Sequence, residues 1–154
     1  MKFTFGIITS NAVDAQILDS IYNQHIPEYE IIIVGGIPIT GKNITYIPFD
    51  ETIKSGWITK KKNIITMHAK YENIVFMHDY VSLADDWYNG FKKFGNDWDI
   101  CMTIVQNSDG SRFRDWCVYD DPELCWPGGG YPKIHGNSGH TMILPSYDYN
   151  DFQY

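Results

Sequence analysis

Tyr29-Glu30-Ile31-Ile32-Ile33-Val34-Gly35-Gly36 decides the fold class of this chain. Four consecutive β-branched residues, stopped by a glycine pair, read as a strand with no alternation between polar and apolar positions. A strand apolar on both sides belongs in a sheet covered on both faces, which is the habit of parallel sheets.

The flanking sequence fits that reading. Toward the N-terminus, residues 2–8 are apolar and β-prone, and Thr9-Ser10-Asn11 follows as a cluster of turn and N-cap residues. From Val13 the pattern turns helical, with Val13, Ile17, Leu18 and Ile21 on one face, Asp14 in the first turn and Pro27 as terminator. Toward the C-terminus come a short strand at 44–47, a loop at 49–57 and a helix at 58–70 carrying Lys60, Lys61 and Lys62. A buried strand at 73–77 then ends in His78-Asp79-Tyr80. Ser82 with Asp85 three residues on is a capping-box signature, and Leu83, Trp87, Phe91 and Phe94 form the apolar face of the helix it predicts. Further strands are predicted at 100–105 and 141–144, with a loop-rich stretch at 106–139 between them.

Alternating strands and helices predict an α/β fold, a mainly parallel central sheet flanked by helices, in one domain over 1–154. Ligands of such sheets bind at the carboxyl ends of the strands. Thr9-Ser10-Asn11, Gly35-Gly36, His78-Asp79-Tyr80 and the loop after Val105 are therefore expected along one edge.

Composition narrows the function. The 154 residues are 44% hydrophobic and 20% charged, a globular balance. A net charge of −7 argues against a nucleic-acid partner, which needs a positive footprint. No run approaches the ~20 apolar residues of a membrane span, and the N-terminus has no signal-peptide pattern. Cys101, Cys117 and Cys125 are odd in number and lack C-x-x-C spacing, which reads as reduced thiols in a cytoplasmic protein. The aromatic content of 16% suits core filling first and stacking on sugar C–H faces second.

Asp79 carries the sharpest chemical signal. A carboxylate directly after a buried strand is well placed to hold a hard divalent cation against a diphosphate, although a strand-end Asp also caps turns. Arg112, Arg114, Asp115 and Trp116 could embrace a sugar or its phosphates through guanidinium forks, or form a structural ion pair. Gly128-Gly129-Gly130, between Trp126 and Pro132, has the hinge composition of a lid. It lacks the Gly-Lys-Ser/Thr of a P-loop, and no Gly-x-Gly-x-x-Gly follows the first strand.

The order of strand, Ser/Asn-bearing loop, helix, apolar strand and basic helix, followed by Glu72-Asn73-Ile74-Val75-Phe76-Met77-His78-Asp79, resembles the family 2-type glycosyltransferases of GT-A fold. The resemblance implies a Rossmann-like nucleotide-diphospho-sugar transferase core in which an acidic motif holds Mn²⁺ or Mg²⁺ on the UDP diphosphate. Carried onto matching positions, Thr9, Ser10 and Asn11 line the nucleoside, and Gly35 and Gly36 stand where the family often has a base-reading Asp. Lys62 and Asn63 lie near the base or diphosphate, and His78 and Asp79 occupy the acidic motif, with one carboxylate where the family usually shows two. His135 and His140 flank a Gly-Asn-Ser-Gly segment, and the resemblance makes His140 the second metal ligand. Lys60 and Lys61 read as a solvated helix face. The family's Glu-Asp base motif is missing, which leaves Asp148 and Asp151 as substitutes. The implied function is a metal-dependent glycosyltransferase using a UDP-sugar, UDP-glucose or UDP-galactose favoured, with a glycan, lipid or protein acceptor. The alternative is a catalytically weak or inactive module binding nucleotide or glycan. A nucleotidyltransferase would want more carboxylates and a basic phosphate cradle.

Overall fold

The computed structural model describes residues 1–97 and 107–109. The expectations for 100–105, 141–144, the glycine-rich loop, the cysteines, His135, His140, Asp148, Asp151 and the Arg112–Trp116 segment lie outside the described residues. The chain divides into two compact units, Met1–Gly95 and Asn96–Tyr154, and every element described below belongs to the first.

Strand β1, Phe3–Ile8, pairs in parallel with β2, Tyr29–Val34, on one side and with β4, Asn73–His78, on the other. Strand β3, Ile44–Ile47, extends the sheet beyond β2, so the spatial order is β3-β2-β1-β4 with all pairings parallel. The α/β architecture expected from the isoleucine run is therefore present. Residues Ile31 to Val34 are buried throughout, as an uninterrupted apolar strand requires.

Helix α1, Ala15–Tyr22, joins β1 to β2, and α2, Ile58–His68, joins β3 to β4. Asp14 is the N-cap of α1, its Oδ1 accepting from the Gln16 amide at 2.9 Å, and Val13 is buried just ahead of it. The helix ends at an Asn23 cap rather than at Pro27, and His25 takes a positive φ of 52° in the connection to β2.

The alternation along β1 divides the core in two. Phe3 and Phe5 point to the face covered by α3, Trp87–Phe94, where the Phe3 ring lies 5.3 Å from Trp87 and 5.7 Å from Phe91. Helix α1 reaches this face too, since Tyr22 packs on Tyr29, the register partner of Phe3. Gly6 and Ile8 point to the opposite face, where Ile8, Ile32, Val34 and Ile65 of α2 form a second cluster. Each buried large apolar side chain contributes about 1.5–3 kcal/mol, and among the described residues the aromatics Phe3, Phe5, Trp87 and Phe91 are buried in this way.

Helix α3 departs from expectation. It begins at Trp87, after an Asp86 cap that makes no side-chain hydrogen bond, and Ser82 plays no capping part. Side chains of α1 and its C-terminal turn do the work instead. Ser20 Oγ accepts from the Leu83 amide at 3.0 Å, Gln24 Nε2 donates to the Ala84 carbonyl at 2.9 Å, and Gln24 Oε1 accepts from the Tyr88 amide at 2.9 Å. Phe94, assigned by its spacing to the apolar face, is half exposed.

Candidate functional site

The chain runs from β1 outward through β2 to β3 and then crosses back to place β4 on the other flank of β1. The carboxyl ends of β1 and β4 therefore bound a topological switch point, the crevice where open α/β sheets bind ligands. Ile8 is in register with both Val34 and His78, so Thr9, Gly35 and Asp79 emerge side by side. Three of the four stretches expected along one edge are brought together; the loop after Val105 lies outside the described residues.

Thr9 organises the crevice. It is 4% exposed, and its hydroxyl donates to Asp79 Oδ2 at 2.6 Å while accepting from the Asn11 amide at 2.9 Å. The hydroxyl proton is thereby committed to the carboxylate, and the Asn11 carbonyl, 3.1 Å away, instead receives the Ile37 amide. Asp79 Oδ1 has no hydrogen-bond partner among the described residues, which leaves one carboxylate oxygen available at the switch point.

The glycine pair is built into this wall. Gly35 and Gly36 have φ of 87° and 68°, left-handed conformations that other residues adopt at a cost. A Cβ on Gly35 would fall 2.4 Å from the Thr9 carbonyl oxygen, and one on Gly36 would fall 1.9 Å from that of Asn11. The two glycines thus let the loop after β2 press against the loop after β1. Tyr46 holds the pair in place by donating to the Gly36 carbonyl at 2.9 Å.

The lysines of α2 divide differently from the solvated face expected of them. Lys60 is exposed, in agreement with that reading, but Lys61 is 2% exposed and ion-paired with Glu51. The physical reason is helical spacing: Lys61 falls on the stripe of Ile58 and Ile65, and its ammonium emerges among oxygen atoms at the far end. Burial opposes ionisation of Glu51, but hydrogen bonds from Lys61, Gly56 and Ser10 outweigh it and hold the carboxyl below its ordinary range. Ser10 Oγ donates to Glu51 at 2.9 Å and accepts from Lys61 at 3.1 Å, so its hydroxyl serves the loop itself.

Lys62 is half-buried, with its ammonium 5.6 Å from the centre of the Phe76 ring. Burial lowers its pKa, and it has no ion-pair partner among the described residues. His78, whose ring stacks on Tyr80 at 5.2 Å, is also depressed, first by burial and then by the positive charge of Lys62, with Asp79 opposing both. Asn63 is exposed on α2. Among the described residues no three His, Cys, Asp or Glu side chains gather into a metal-holding group. Sequence reasoning missed Glu51 and mistook Lys61, although the Ile58-Lys61-Ile65 spacing carried the signal.

No protein-family model matches the chain. A search of curated proteins finds no match. Among solved structures, the crystal structure of S. aureus TarS residues 1–349 is similar over 61% of this chain, at 17% identity and a TM-score of 0.49. The similar region is 32% of that structure, so the chain spans about a third of its length.

Proposed function

We propose that the carboxyl edge of the sheet is the donor site of a GT-A-like glycosyltransferase that uses a UDP-sugar, with UDP-glucose or UDP-galactose favoured. The observation that carries the reading is Asp79 at the switch point, oriented by Thr9 through one oxygen and open at the other. A half-buried cation, Lys62, flanks it through His78. One carboxylate and one nearby cation suit a diphosphate, whose charge can be shared between the cation and a bound metal.

Asp79 alone fits the way Mg²⁺-like ions bind, through one or two carboxylates with phosphates and waters completing the shell. Bound Mn²⁺ or Mg²⁺ would supply charge neutralisation for the departing diphosphate. The chain's own residues do the rest of the binding. Thr9 holds the carboxylate, the Thr9-Ser10-Asn11 backbone and Gly35-Gly36 form the nucleoside wall, and Lys62 and Asn63 approach from α2. The exposed Tyr80 offers a ring stacked on His78. With glycines at positions 35 and 36, base recognition falls to backbone groups of this wall. His140 as a second metal ligand and the Arg112, Arg114, Asp115 and Trp116 set at the sugar belong to the same proposal, on the sequence resemblance.

Calorimetric titration of UDP with Mn²⁺ and with EDTA, into wild type and Asp79→Asn, tests the reading. Affinity should fall at least about tenfold in the variant, roughly 1.4 kcal/mol, with apo stability changed by no more than about 1 kcal/mol. Equal affinity in Mn²⁺ and EDTA would remove the metal, and unchanged affinity in the variant would remove Asp79. UDP release from UDP-glucose or UDP-galactose marks turnover; binding without release selects the inactive binding module.

A further inference from the structure

Lys61 donates to the Thr9 carbonyl at 2.7 Å, to Ser10 Oγ at 3.1 Å and to the Glu51 carboxylate, which uses each of its three protons. Its ammonium also lies 5.0 Å from the centre of the Phe49 ring. Glu51 in turn accepts from Ser10 Oγ and, through Oε2, from the Gly56 amide at 2.8 Å. One ion pair, buried at its Lys61 end, therefore ties the loop after β1 to the 50–56 loop and α2, which follow it by 41 to 52 positions. The charge of Lys61 is consumed in this knot, so it is the adjacent Lys62 whose charge remains for a ligand.

We propose that Lys61 is a positioning residue for the donor site, pinning the 50–56 loop to Thr9-Ser10 and thereby fixing the backbone from which Thr9 orients Asp79. The proposal rests on the donor reading above. Two stacked dependences follow from the geometry. Removing the ammonium leaves the Thr9 carbonyl, Ser10 and Glu51 without their shared donor, and the half-buried carboxylate, its partner gone, turns outward into water with its loop. The loop after β1 then loses its lower support, and the Thr9–Asp79 contact loosens with it.

The 50–56 loop contains its own reporter, Lys54, which is exposed and followed by Ser55. Limited trypsin digestion with mass-spectrometric readout follows cleavage after Lys54, with cleavage after Lys92 in α3 as the measure of global unfolding. Lys61→Met keeps the apolar stem and should speed cleavage after Lys54 at least about tenfold while leaving Lys92 unchanged, and should weaken UDP binding in Mn²⁺ about tenfold. Lys60→Met, altering the exposed neighbour, should change neither. Glu51→Gln, which keeps the shape and the Gly56 contact, should accelerate Lys54 cleavage by a few-fold and decides the matter if Lys61→Met does not fold. Unchanged cleavage after Lys54 in the folded variants, or equal acceleration after Lys54 and Lys92, overturns the pin. Released cleavage with undiminished UDP affinity overturns the positioning role while the donor reading stands. A wild type that binds no UDP removes the donor reading and, with it, the positioning role, while the cleavage ratios still decide whether Lys61 holds the loop.

Discussion

Gly36→Ala puts the contact between the two site loops to a quantitative test. The new Cβ would stand 1.9 Å from the Asn11 carbonyl oxygen and 2.8 Å from Thr9 Cγ2, on a backbone with φ of 68°. The left-handed conformation costs an alanine roughly 1–2 kcal/mol. Relief of the overlap costs about 1–3 kcal/mol more, as overpacking generally does. Moving the Asn11 carbonyl also weakens its 3.1 Å bond from the Ile37 amide, worth about 1 kcal/mol. The total is about 3–6 kcal/mol, which in a unit of this size lowers the melting midpoint by at least about 12 °C. Gly56→Ala is the matched control, because Gly56 has a φ of 63° but nothing within 4 Å of its added Cβ. It should cost only the backbone contribution, about 1–2 kcal/mol. Urea denaturation followed by far-UV circular dichroism gives both values, and their difference isolates the overlap. Equal destabilisation of the two variants within about 0.5 kcal/mol would refute the loop contact.

His78 makes stability depend on pH. Because burial and Lys62 depress its folded-state pKa, the unfolded chain takes up the proton first as pH falls below the ordinary imidazole value of about 6.5. The fold should lose stability from about pH 6.5 downward through the folded value, and His78→Gln should flatten that part of a melting-temperature profile; an unaltered slope would count against it. Lys62→Met should raise the His78 pKa by removing a neighbouring charge, measurable by NMR titration of the imidazole, and a lower or unmoved value would contradict the proximity of the two. Thr9→Val deprives Asp79 Oδ2 and the Asn11 amide of their partner at constant shape, at a cost of about 1–3 kcal/mol in urea denaturation. A change under about 0.5 kcal/mol would show that the hydroxyl does not organise the loop.

What the sequence discloses here depends on the range of the forces involved. The isoleucine run of β2 declares itself through composition and burial on both faces, whereas β3 and β4 declare themselves through β-prone composition alone: the strand expected to be buried at 73–77 is only partly so, with Met77 buried and Phe76 exposed. The start of α1 is legible to within a turn, for Asp14, expected inside the first turn, is itself the N-cap, bonding two residues ahead. The start of α3 is not, because Gln24 supplies oxygen to Tyr88 across 64 positions and displaces the local Ser82 signature. Lys61 shows a third situation. Three consecutive lysines resemble a solvated face, and only the combination of helical spacing with the distant Thr9, Ser10 and Glu51 oxygens reveals a buried charge. The strand ends identified the edge of the site, whereas the hydrogen bonds giving it shape connect residues too far apart for any local pattern to announce.

β1 precedes the other strands of the described sheet in sequence yet occupies an inner position, and this imposes an order on the nascent chain. β2 can join β1 soon after both have emerged, but the Thr9–Asp79 bond spans 70 positions. At 5–20 residues per second the ribosome needs roughly 4–14 s to supply them. Throughout that interval β1 presents an unpaired edge, a template for pairing with another chain. The rings of Phe3 and Phe5 meanwhile await Trp87 and, for Phe3, Phe91. A ribosome stalled before α3 emerges therefore displays an open strand edge beside uncovered Phe3 and Phe5 rings, and codons slowing elongation over that stretch would prolong its exposure to aggregation.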